Sequence, residues 1–126
     1  MAWQKNFFGK LKPEEASQIA VVKYLSLQYP GILWCHPPQE TYTESRFQKW
    51  KNKMMGVKRG VPDLLIFEPR GFNFGLAIEM KYGRNKPTKD QQDWLIALGN
   101  RGWRTHVCRS SADAIDIIDD YLGKKK

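Results

Sequence analysis

The sequence holds no run of about 18 apolar residues, which excludes a bilayer-crossing helix. It has two cysteines, Cys35 and Cys108, too few for a disulfide framework and suited to a reducing compartment. The stretch Met1–Lys10 lacks the apolar centre of a signal peptide, so a cytoplasmic location is expected. No Walker motif is present, which removes the usual grounds for ATP chemistry. No nucleophile elbow supports a Ser/His/Asp triad. No CxxC or HxxxH spacing supports zinc, so Cys35 with His36, and His106 with Cys108, read as structural. Acids are also in short supply: 13 Asp and Glu face 21 Lys and Arg, a net charge of +8. That excess favours a polyanionic partner, because Lys and Arg release the counterions condensed on phosphates.

What is present describes one folded domain. With 41% hydrophobic residues the chain can bury a core, and no repeat or linker interrupts it. One domain is expected over residues 1–126, with its core at about 13–122 and a basic tail at 123–126. Pro13 suits a helix's first turn, and Ala16, Ile19, Ala20, Tyr24 and Leu27 then recur at helical spacing as far as Tyr29. Val21, Val22 and Leu25 widen that stripe, so a largely buried helix is expected. Ile32–Cys35 reads as a strand stopped by Pro37 and Pro38. Thr43–Met55 reads as a short basic helix with Phe47, Trp50 and Met54 along one face.

Asp63–Phe67 and Gly75–Lys81 are two further strands, joined by the turn residues Pro69–Asn73. Thr88, three residues before Gln91, forms a capping-box pattern for a helix with Trp94, Leu95 and Leu98 on its apolar side. Trp103–Cys108 alternates like a strand. Ser110 or Ser111 caps a last helix whose apolar face is Ala114, Ile115, Ile118, Tyr121 and Leu122. The hairpin implies antiparallel pairing, and the helix after it implies a crossover to a parallel neighbour. The fold class is therefore α/β, a mixed β-sheet flanked by helices.

The hairpin brings chemistry together. If it is centred near Gly71, antiparallel partners have numbers summing to about 142, and Asp63 and Glu79 meet that sum. Their Cβ atoms would then stand roughly 5 Å apart on one face. Two carboxylates that close repel unless a cation lies between them. Lys81, two residues past Glu79, projects from the same face. Gly60, Val61 and Pro62 fix the start of the first strand, so Asp63 stands at a defined edge. A carboxylate pair beside an ammonium suits metal-assisted phosphodiester hydrolysis. A surface ion pair between Lys81 and one acid is the plainer reading of the same residues.

Three blocks together resemble a virus-type replication-repair nuclease (VRR-Nuc) domain of the PD-(D/E)XK superfamily. They are Gly60-Val61-Pro62-Asp63-Leu64, then Ala77-Ile78-Glu79-Met80-Lys81, then Thr88–Leu98 followed by Gly102. The resemblance spans roughly Glu14 to Leu122. It implies a restriction-endonuclease-like αβββαβ core, with Mg²⁺ or Mn²⁺ held by Asp63, Glu79, the Met80 backbone carbonyl and Glu15, and Lys81 as the catalytic lysine. It also implies an acid on the first helix, Glu15, with Glu14 as the alternative. Gln91, with Gln92 as the alternative, corresponds to the family's helix glutamine. Ordinary roles compete for both: a first-turn acid favoured by the helix dipole, and a capping-box glutamine.

Lys49, Lys53, Lys58, Arg59, Arg84, Lys86, Lys89 and His36 are the candidate DNA contacts, against the alternative of a solvated basic face. The reading as a whole is a DNA endonuclease, of viral or phage origin, selective for branched or Holliday-junction DNA in replication or repair. It would act in the host cytoplasm without a nucleotide cofactor. Its alternative is a catalytically inactive DNA-binding module of the same fold. A homodimer is expected as well, because Trp3, Phe7, Phe8, Trp34, Trp50 and Trp103 are more rings than one small core can hold.

Overall fold

A computed structural model describes residues 7–38 and 43–123. Trp3 and the tail residues 124–126 lie outside these ranges. The elements run α1 (Pro13–Gln28), β1 (Trp34–Cys35), α2 (Arg46–Met54), β2 (Leu64–Ile66), β3 (Leu76–Met80), α3 (Lys89–Asn100), β4 (Arg104–Cys108) and α4 (Ser111–Leu122). Among the described residues no helix is long and apolar enough to cross a membrane.

The four strands form one sheet in the order β1-β2-β3-β4, with β1–β2 and β2–β3 antiparallel and β3–β4 parallel. The hairpin register is the expected one: Leu64 faces Ile78, Leu65 faces Ala77 and Ile66 faces Leu76. At its tip Arg70 and Asn73 exchange both backbone hydrogen bonds, at 3.0 and 2.9 Å, around Gly71 at φ +56°. A glycine there takes the left-handed φ that a tight two-residue hairpin demands. Burial covers the whole of Leu76–Glu79, as a central strand covered on both faces requires.

The core gathers Leu64, Ile66, Leu76, Ile78 and Cys108 from one face of the sheet. Val21 and Leu25 of α1, and Ala114, Ile118, Tyr121 and Leu122 of α4, close over it. Burying these side chains supplies roughly 1.5–3 kcal/mol apiece before conformational entropy is charged. The opposite face, with Leu65, Ala77 and Glu79, is left to α3, which packs against β3 and β4 and adds nothing to that cluster.

Two expectations need correction. α1 is not largely buried: only Val21 and Leu25 are, while Ile19 and Leu27 are 40% and 67% exposed. The helix leans on α4 along one side and leaves its other sides open. That contact is fastened by Asp119, 8% exposed, which accepts the Tyr24 hydroxyl at 2.7 Å and the Tyr29 hydroxyl at 2.6 Å. Nor does the core leave all the named rings over. Trp34 is half-buried against it, and Trp103 packs edge-on to Phe67 at 5.6 Å, over Gly75. Phe7, Phe8 and Trp50 stay 60%, 57% and 58% exposed.

Candidate active site

Asp63 stands where the β2–β3 ladder ends. The next rung is made by its side chain, whose Oδ2 accepts the Met80 N–H at 2.8 Å. This bond turns the carboxylate toward β3 and sets it beside Glu79. Glu79 lies mid-sheet and is only 2% exposed. Lys81 continues β3, its N–H bonded to the Cys108 carbonyl at 2.8 Å. Its Nζ lies 3.5 Å from Glu79 Oε2, with the side chain 15% exposed. Glu79 Oε1 is buried with no hydrogen-bond partner. Burial first, and the neighbouring Asp63 second, push the Glu79 carboxyl up from 4.5 to about 8, against the opposing pull of Lys81. Such a carboxyl is under-coordinated in the protein alone.

These groups line an open cleft of about 850 Å³. α1 contributes Glu14, Glu15 and Gln18; the segment before β2 contributes Arg59 and Gly60; the start of α3 contributes Thr88, Asp90 and Gln91. His36 also lines it, its Nδ1 against the Asp63 carbonyl. Five acids, Glu79 the one raised to about 8, thus face two cations, Arg59 and Lys81. Acids outnumber bases here in a chain of net charge +8, a local field that favours a cation.

Gly60 is what brings α3 to the site. Its φ is +82°, and a Cβ there would sit 2.5 Å from the Asp90 carbonyl carbon and 2.7 Å from the Gln91 nitrogen. Only a residue without a Cβ lets the two backbones touch.

The candidate helix residues are engaged locally. The Glu15 carboxylate accepts the Lys12 N–H at 2.8 Å, closing the α1 cap, whereas Glu14 faces the cleft with no bond of that kind. Gln91 Oε1 accepts the Thr88 N–H at 2.9 Å and its own N–H reaches Thr88 Oγ1 at 3.2 Å, a capping box at the cleft wall. Gln92 turns away to the Pro87 carbonyl at 2.9 Å. Gln18, matched in the sequence only by its spacing from Glu15, is the unexpected member: its Nε2 is buried at the cleft with no partner.

Of the basic candidates, Arg59 lines the cleft, while Lys49, Lys53, Lys58, Arg84, Lys86 and Lys89 do not. Lys89 pairs with Asp93 at 3.1 Å, both well exposed. Arg109, which sequence reading passed over, braces the loop after β3 by donating to the carbonyls of Gly83 at 3.1 Å and Asn85 at 2.5 Å. No local signal marks it, because its partners lie over 20 residues away.

A divalent cation fits this donor set. The orphaned Glu79 oxygen, Asp63 beside it and Met80 on the cleft wall supply hard oxygen, and Mg²⁺ takes few protein ligands, completing its shell with water and phosphate. Among the described residues no three His, Cys, Asp or Glu side chains form a metal cage of their own, so a cation held here would need water or substrate oxygens to complete its shell. The two His/Cys pairs lie at opposite edges of the sheet, Cys35 and His36 at β1 and His106 and Cys108 on β4, too far apart to share a metal. Burial pushes the Cys108 thiol up to about 11, and burial and then Arg104 push His106 down.

A family model described as the VRR-NUC domain matches residues 10–112. Among solved structures, one named VRR_NUC domain protein aligns with a TM-score of 0.73 at 27% identity, over 90% of this chain and 91% of that one. Another, named VRR_NUC domain, aligns at 0.52 and 24% identity over 83% and 97%, a likeness of fold. No curated protein matches.

Proposed function

Because the chain belongs to the VRR-NUC domain family, a family of nucleases, we propose that it is a divalent-metal-dependent endonuclease that hydrolyses phosphodiester bonds in DNA. The observation that carries this reading is Glu79: an acid 2% exposed, with one oxygen unpartnered, between Asp63 and Lys81 at the floor of an open cleft. A fold has little reason to bury such a group unless a ligand completes it.

Asp63, Glu79 and the Met80 carbonyl would hold Mg²⁺ or Mn²⁺, which when bound acidifies water and offsets charge on the scissile phosphate. The Met80 N–H keeps Asp63 aimed at that position. Glu79 would hold the cation as its carboxylate, and Lys81 Nζ, 3.5 Å from Glu79 Oε2, would meet the phosphate or the attacking water. Arg59 and His36 at the rim meet flanking phosphates. Glu14 or Glu15 extends the acidic wall from α1, and Gln91 holds the α3 edge of the cleft.

The finer reading is a C2 homodimer that selects branched DNA in viral or phage replication or repair, within a cytoplasm. Exposed Phe7 and Phe8 support an interface. A two-fold pair of sites suits two-fold symmetric junctions.

A nicking assay with and without Mn²⁺ tests the central reading. Asp63→Asn should abolish cleavage while DNA binding stays within a few-fold. Nicking that persists undiminished in the variant, or in excess chelator, would refute it.

A further inference from the structure

α2 is turned inside out. Its half-buried residues are polar: Gln48, Lys51 and Asn52, with Gln48 Nε2 donating to Asn52 Oδ1 at 2.6 Å. Its apolar stripe, Phe47, Trp50 and Met54, is 65%, 58% and 66% exposed. A globular domain ordinarily turns such a stripe to its core. Here it faces solvent, and no helix or strand packs extensively on α2. The Phe47 and Trp50 rings stack with centroids 6.0 Å apart and planes at 29°, and Lys51 Nζ lies 5.6 Å from the Phe47 centroid. Arg46, Lys49, Lys51 and Lys53 lie on the same helix, which contains no acid. Positive charge in a first turn opposes the helix dipole, so Arg46 and Lys49 are not there to stabilise α2.

From this arrangement we propose that α2 is a base-stacking platform, and that DNA carrying unpaired nucleotides, in place of a fully paired symmetric junction, is the substrate class of the cleft. The proposal rests on the nuclease reading above. An aromatic face accepts any base, and the cations of the same helix meet the phosphates. A fully paired duplex hides its base faces in the stack, so only unpaired bases reach the rings. An anionic membrane also attracts basic aromatic helices. Nine residues extend only about 14 Å, and rings laid as neighbouring plates match successive bases better than acyl chains.

The platform is tied to the site. Arg59 on the cleft rim follows Met54 by five residues, a reach of about 17 Å at most. Four residue steps of helix, about 6 Å, separate Trp50 from Met54, so the Trp50 backbone lies within about 23 Å of Arg59, about seven base steps at 3.4 Å.

Fluorescence anisotropy in chelator, with a duplex carrying a run of unpaired thymines and a fully paired duplex of equal length, tests this. The double variant Phe47→Ala with Trp50→Ala should bind the unpaired substrate at least about 30-fold more weakly, the low end for two lost stacking contacts. Its affinity for the paired duplex should change less than about two-fold, and Trp50→Phe should restore most of the loss. Both side chains are exposed, so far-ultraviolet dichroism should match the wild type. Equal losses on both substrates, or none on either, would overturn the proposal. So would loss of binding to vesicles of 30% phosphatidylserine with DNA affinity unchanged. A wild type that binds unpaired DNA selectively but cuts nothing with Mn²⁺ would sink the nuclease reading and leave the platform standing. A wild type that cuts while the α2 variants behave like it would do the reverse.

Discussion

Replacing Glu79 by glutamine should make the metal-free protein more stable in alkaline solution while ending its activity. In the fold the carboxyl is pushed from 4.5 to about 8, chiefly by burial and then by Asp63. A raised acid favours the protonated folded state. Its stabilising contribution is complete below about pH 4.5 and is lost as pH rises through about 8. At roughly 1.4 kcal/mol per unit the window is worth about 5 kcal/mol, and with partial solvent screening at the open cleft the wild type should lose on the order of 4 kcal/mol across it. Glutamine cannot ionise, but it leaves a buried amide imperfectly partnered, at about 1–3 kcal/mol. Near pH 9 the variant should therefore be about 2 kcal/mol more stable than the metal-free wild type, and at pH 5 equal to it or weaker. Urea unfolding in chelator at pH 5, 7 and 9 measures this. Excess Mn²⁺ should then reverse the order at pH 8, since it stabilises only a chain that binds it, by about 2.7 kcal/mol at a hundredfold excess over Kd. Parallel pH profiles for the two proteins, with the variant weaker throughout, would refute the burial argument. An equal gain from Mn²⁺ in both would refute the ligand assignment.

The remaining expectations concern the supports of the site. Lys81→Ala should bind DNA within a few-fold yet cleave at least about 100-fold more slowly in single turnover at saturating DNA, since the loss falls on the transition state; a change confined to affinity would make Lys81 a phosphate contact. Gly60→Ala should cost about 2–4 kcal/mol in thermal unfolding, because φ +82° and the 2.5 Å approach to Asp90 both oppose a Cβ; a neutral result would contradict that packing. Asp119→Ala removes the shared acceptor of the Tyr24 and Tyr29 hydroxyls. It should lower stability by about 3 kcal/mol with cleavage by the folded fraction unchanged. Asp119→Asn, which keeps an acceptor, should be milder.

Sequence alone determined whatever near neighbours decide. The hairpin register followed from a period of two and one glycine turn, and Leu64 does face Ile78. The cap at Thr88, and one at Ser110 or Ser111, followed from a side chain reaching three residues along the chain, and Thr88 and Ser110 form them. The parallel β3–β4 pair followed from the helix between them. The nomination of Asp63, Glu79 and Lys81 as one group rested on that same arithmetic, and the structure sets them side by side. Tertiary structure decided the rest, because burial is set by whatever arrives from far along the chain. The apolar stripe of α2 has the same spacing whether it faces a core or solvent, and it faces solvent. α1 looked buried on most sides because its sequence is apolar on most sides, yet α4 covers only one. Gly60 touches Asp90 across 30 residues, and Gln18 becomes an orphaned donor only because the first turns of α1 lie at the cleft. A carboxyl raised to about 8 likewise needs the whole sheet around Glu79, since desolvation comes from every layer that excludes water and from no single neighbour in the chain.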